Sequence, residues 1–92
     1  MYTLRPSKRY VKAFKRLSRS GRFEFEALNS VLNVLAAGRA LPAQYDNHPL
    51  HGAYRDCFEC HLKSDLLLIY KIDEHTKTVV VMNLGSHSEL FR

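Results

Sequence analysis

The chain reads as an α+β domain in which two N-terminal helices pack on one face of an antiparallel sheet. Apolar residues recur at helical spacing through the first part of the chain. Three β-type runs joined by polar turns fill the last part, and an irregular stretch carrying Pro42, Pro49 and Gly52 separates the two. The predicted order is strand, helix, helix, loop, strand, strand, strand.

Residues 2–5 (YTLR) form a short first strand ahead of Pro6, and Ser7 is placed to cap the helix that follows. That helix should run from Ser7 to Ser18, with Tyr10, Val11, Phe14 and Leu17 on its packing face. Ser20-Gly21 interrupts the pattern. A second helix is expected from Phe23 to Ala37, burying Phe25, Leu28, Leu32 and Leu35 and stopping at Gly38. After the loop from Ala40 to Tyr54, the runs Cys57–Leu62, Leu66–Ile72 and Thr78–Leu84 should make an antiparallel meander, and GSHSELFR is left as a tail. The uncovered face of the sheet is free to carry a site.

Ninety-two residues, 46% hydrophobic and 25% charged, suit one domain spanning 1–92, one that buries roughly 60–65% of its unfolded surface. The apolar runs Leu66–Tyr70 and Val79–Met82 fall far short of the ~20 residues a bilayer requires, and no export signal is visible near the N-terminus. A cytoplasmic protein with no membrane partner is expected.

The net charge is +5, and eight of the fourteen basic residues lie in the first 22 positions, where no acidic residue occurs. Lys8, Arg9, Lys12, Lys15, Arg16 and Arg19 form a cationic stripe along the first helix, with Arg5 and Arg22 at its flanks. Such a stripe suits a polyanionic partner, although a solvated helix face has the same spelling.

Five histidines stand at His48, His51, His61, His75 and His87. The meander should bring His48, His61 and His87 to one end of the sheet; His75 lies in a charged turn, and His51 is undecided. Zinc is disfavoured because a single C-x-x-C on a strand sends its cysteines to opposite faces. The string CFECH (57–61) matches the covalent haem-attachment spelling, but it lies in a β-type run with no export signal. Cys57 and Cys60 are read as packing groups. No phosphate loop, H-E-x-x-H or G-x-S-x-G occurs. General acid–base chemistry by imidazoles and carboxylates beside a cationic surface remains, and it suits RNA cleavage without metal or cofactor.

The stretches YDNHPLHG (45–52), ECHLKSDLLLIYKI (59–72) and GSHSELF (85–91) resemble the YafQ-like branch of the RelE superfamily of type II toxin–antitoxin endoribonucleases. The resemblance implies a microbial-RNase-like fold, metal-independent cleavage of mRNA on the ribosome, and an acidic antitoxin as partner. It places catalytic roles on His48, His61, Asp65, His87 and Glu59, a base-stacking role on Phe91, and ribosomal RNA contacts on the stripe. Which histidine is acid and which is base stays open. Relatives often carry Trp where this chain has Leu66, which implies a weaker apolar base contact there. They often carry Arg at the positions of Asn83 and Phe58, so Lys63, Lys71 or Arg55 would have to supply the missing cation. A toxin-fold module that binds antitoxin or RNA without cleaving is the alternative these departures suggest.

Overall fold

The computed structural model describes residues 1–21, 25–63 and 65–91. β1 (Thr3–Pro6) leads into α1 (Lys8–Ser18), and α2 (Phe25–Ala36) follows. The connection holds 3₁₀ turns at Ala43–Tyr45 and Gly52–Tyr54 on either side of β2 (His48–Pro49). β3 (Phe58–Lys63), β4 (Leu66–Asp73), β5 (Thr78–Gly85) and α3 (His87–Leu90) complete the chain. The sheet order is β1-β5-β4-β3-β2. The meander is antiparallel as expected, and within the stretch read as irregular β2 also pairs antiparallel with β3, whereas β1 runs parallel to β5, with Leu4 opposite Val79. The crossover through both helices lets the first strand return beside the last.

Ser7 sets the start of α1 and fixes it to the sheet. Its hydroxyl accepts from the Tyr10 amide at 3.1 Å and donates to the Met82 carbonyl at 2.7 Å. Gly38 ends α2 at φ +74, where a Cβ would come within 2.9 Å of the Tyr2 ring, so position and conformation both demand glycine.

On the helix-covered face, Tyr10, Ala13, Leu28, Val31 and Leu35 pack against Cys60, Leu62, Leu68, Tyr70, Val79, Val81 and Leu84. The buried stripes differ from expectation. Ala13 is buried while Val11 stays exposed, because Val11 sits about 100° around the helix from Tyr10. In α2 the stripe is Leu28, Val31 and Leu35, with Leu32 only partly covered. Phe25 is about half-exposed and meets the Phe14 ring of α1 edge-on. Arg22 and the expected helix start at Phe23 lie outside the described residues.

The opposite face carries a smaller cluster of Cys57, Leu67, Ile69 and Leu90, joined by Leu50, Tyr54 and Met82. The tail thus forms a helix whose Leu90 caps this cluster. Ser86 and Glu89 make a reciprocal capping box: the Ser86 hydroxyl accepts from the Glu89 amide, and the Glu89 carboxylate accepts from the Ser86 amide. The S-x-x-E spelling was visible in the sequence as the signal for it.

The two cysteines fall in different clusters, Cys60 under the helices and Cys57 beneath Leu90. They cannot present two thiols to one porphyrin. Burial, with the Glu59 charge adding to it, pushes the Cys60 thiol up to about 12, and burial also raises Cys57. Neither thiol should react with a disulfide reagent in the native protein at neutral pH, and both should react in denaturant. A fast-labelling native thiol would contradict this packing.

Candidate active site

The register between β2 and β3 builds the centre of the site. His48 lies directly opposite Glu59, so their side chains share a face and meet at 2.7 Å between His48 Nε2 and Glu59 Oε2. His61 follows Glu59 by two along β3 and therefore points the same way. Its Nε2 lies 4.0 Å from Glu59 Oε2 and 3.6 Å from Asp46 Oδ2, and the two imidazole rings are 6.0 Å apart.

Asp46 reaches this cluster because the chain turns sharply after the first 3₁₀ turn. Its φ of 46 is a left-handed value that aspartate tolerates better than most residues. The next residue pins the loop to the sheet, with Asn47 Oδ1 accepting from the Tyr70 hydroxyl at 2.8 Å. Burial pushes that phenol up to about 12, so it stays a donor.

The hydrogen-bond pattern constrains where the protons sit. His48 Nδ1 lies 2.9 Å from the Asp46 carbonyl, which only accepts, and Nε2 faces a carboxylate. Satisfying both contacts takes a proton on each ring nitrogen against an ionised Glu59, or a protonated Glu59. Glu59 is 3% exposed, and its Oε1 has no hydrogen-bond partner among the described residues.

A bulge between His61 and Lys63 decides the other half of the site. His61 pairs with Leu67, not with Leu66 as in a two-residue hairpin, and Leu67 pairs with Gly85. His61, Leu67 and Gly85 thus form one row across three strands, with the outer members ~10 Å apart. Two residues beyond Gly85, the His87 amide donates to Asp65 Oδ1 at 3.1 Å. The His87 and Phe91 rings are 5.0 Å apart, and Phe91 meets Tyr54 edge-on at 5.8 Å.

His48, His61 and Glu59 are therefore in mutual reach, while His87 stands just beyond the Gly85 end of the same strand row, tied to Asp65. Asp65 anchors the start of α3. Leu66, expected as a base contact, is partly buried and packs toward the helix-covered core. Lys63 is exposed at the end of β3, Arg55 is exposed after the second 3₁₀ turn, and Lys71 is exposed further along β4. Lys8, Arg9, Lys12, Lys15 and Arg19 are exposed along α1. Arg16 pairs with Glu89 at 2.6 Å, joining α1 to α3. The Ser86 amide, the Ser86 hydroxyl and Arg16 hold the Glu89 carboxyl below its usual range.

Asp46 was not singled out from the sequence; its only signal was an Asx residue in a turn two places before His48. Asp46, His48 and His61 each offer a ligand atom within 4.8 Å of the others. Two imidazoles and a carboxylate suit a divalent transition metal.

Fold and site together define a small α+β protein with an imidazole–carboxylate centre on the open face of a mixed sheet. A family described as bacterial toxins of type II toxin–antitoxin systems, YafQ, matches residues 2–92, and the chain belongs to it. The mRNA interferase toxin YafQ of Escherichia coli K12 is 37% identical over 51 residues, 55% of this chain and 53% of the relative. The chain thus spans about half the length of the curated relatives it matches. A metal-bound toxin from Helicobacter pylori superposes with a TM-score of 0.90 at 43% identity, covering 99% of this chain and 100% of that one. YafQ in the E. coli DinJ–YafQ complex superposes at 0.86 with 26% identity over the whole of both chains. No helix among the described residues is long and apolar enough to cross a membrane.

Proposed function

We propose that this chain is the toxin of a type II toxin–antitoxin system and an endoribonuclease that cleaves mRNA on the ribosome, in the cytoplasm, by general acid–base catalysis. The observation that carries the reading is the pairing of His48 and His61 across a buried Glu59, with His87 just beyond the Gly85 end of the same strand row. His61 is the more loosely held imidazole of the pair, with no contact to either carboxylate within 3.5 Å. It takes the proton of the ribose 2′-hydroxyl as that oxygen attacks phosphorus. His87 gives a proton to the departing 5′-oxygen, leaving a 2′,3′-cyclic phosphate. His48, held between the Asp46 carbonyl and Glu59, fixes that buried carboxyl group beside His61. Phe91 offers a face to a base, and Lys8, Lys12, Lys15 and Arg19 bind ribosomal RNA phosphates.

The antitoxin is an acidic segment that covers the basic helix and the open face, as charge complementarity favours. The DinJ complex of a relative supports a protein antitoxin as partner. A divalent transition metal bound by Asp46, His48 and His61 would supply positive charge there and occupy the nitrogen lone pairs through which protons move. The proton transfers themselves need only side chains, so cleavage should persist in EDTA.

Primer extension on programmed ribosomes incubated with the chain, with and without EDTA, tests the reading. Discrete cuts of equal intensity in both are expected. Intact mRNA overturns nuclease activity, and cuts lost in EDTA and restored by zinc overturn metal independence. Binding to ribosomes without scission would favour the non-cleaving module that Asn83 suggests.

A further inference from the structure

A groove of about 730 Å³ lies beside the site on the open face, lined by Arg9, His51, Tyr54, Asn83, Glu89 and Phe91 among others. It combines what one nucleotide needs. Phe91 and Tyr54 stand nearly perpendicular at 5.8 Å, giving an aromatic wall, and Phe91 also touches the ring of His87.

The cation in the groove is Arg9. Positions 9 and 16 of α1 are seven apart, which places them about 20° from each other around the helix. Both therefore lie on the edge of the stripe that overhangs α3. Arg16 is committed to Glu89 at 2.6 Å, whereas Arg9 has no ion pair among the described residues. Asn83 is neutral, so the guanidinium of Arg9 is the uncommitted positive charge in the lining. A planar guanidinium suits two oxygens of one phosphate, and in-line attack concentrates negative charge on those oxygens.

We propose that this groove is the subsite for one nucleotide of single-stranded RNA next to the scissile bond. Arg9 binds the phosphate, and Tyr54 with Phe91 receives the base. This moves Arg9 out of the ribosomal RNA contacts expected of the stripe and gives His51, which also lines the groove, contact with the same nucleotide. The proposal rests on the nuclease reading for its position next to the scissile bond, but the groove itself is tested separately.

Two measurements decide it. In single-turnover cleavage on programmed ribosomes at saturating protein, Arg9→Ala should slow cutting about 10²- to 10³-fold, while its ribosome affinity falls no further than that of Lys12→Ala. In the absence of ribosomes, a non-cleavable 2′-O-methyl trinucleotide should shift the NMR resonances of Tyr54 and Phe91, and Arg9→Ala or Tyr54→Ala should weaken that binding by at least about tenfold. Wild-type cutting by Arg9→Ala, or a trinucleotide that perturbs neither ring, overturns the subsite. If the wild-type chain cuts no mRNA but the trinucleotide still occupies the groove, the nuclease reading fails and the nucleotide site stands.

Discussion

Replacing His61 by alanine should slow cleavage of ribosome-bound mRNA by about 10²- to 10⁴-fold, the range a positioned acid–base group contributes. The ring is about one-third exposed, and its nearest carboxylate oxygens lie at 3.6 and 4.0 Å. Removing it takes away little packing and no short hydrogen bond, so the thermal midpoint should stay close to that of the parent. Activity and stability therefore separate at this position. Induction in bacteria gives a second readout: growth arrest by the parent and growth with the His61→Ala variant. Equal arrest and equal cutting by both proteins would remove His61 from the chemistry.

His48→Ala should have a different signature, losing stability along with activity. Among the described residues, its imidazole is the one hydrogen-bond partner of a carboxyl group that is 3% exposed and already has one oxygen unsatisfied. Without it, a buried polar group keeps no partner within hydrogen-bond distance among the described residues, which costs about 1–3 kcal/mol. In a domain of this size that lowers the melting temperature by about 4–8 °C per kcal/mol. The double change His48→Ala with Glu59→Leu removes donor and acceptor together and should regain most of the loss while leaving the protein inactive, because replacing both partners by apolar groups can be nearly neutral. Chemical denaturation of the three proteins checks this. A double variant no more stable than His48→Ala would show that the pair is not the source of the loss. The expected pattern is that of a site kept polar for chemistry at the expense of stability.

The same contrast separates what was legible in the sequence from what was not. Alternation along β3 already places Glu59 and His61 on one face, and helical periodicity places the basic residues of α1 away from Tyr10 and Leu17. The capping-box spelling of Ser86 and Glu89 was equally local, although this stretch was read only as a tail. Asp46, by contrast, owes its place in the site to a left-handed turn and to the Tyr70 hydroxyl holding Asn47, a contact 23 residues away in sequence. The bulge at the end of β3 is likewise invisible in the sequence, and it places Leu67, not Leu66, opposite His61.

The amino-acid order by itself determined the two helices, the three-stranded meander, the positive pole and the placing of Glu59 and His61 on one face of a strand, since each depends on side-chain periodicity or on a short string. Only the tertiary structure decided that β1 returns parallel to β5, that His48 meets Glu59 across two strands, and that Arg9 faces the groove while Arg16 is held by Glu89. These depend on strand register, bulges and the angle at which α1 crosses the sheet. Such features are set by packing between distant segments, where a slip of one residue turns a side chain to the other face.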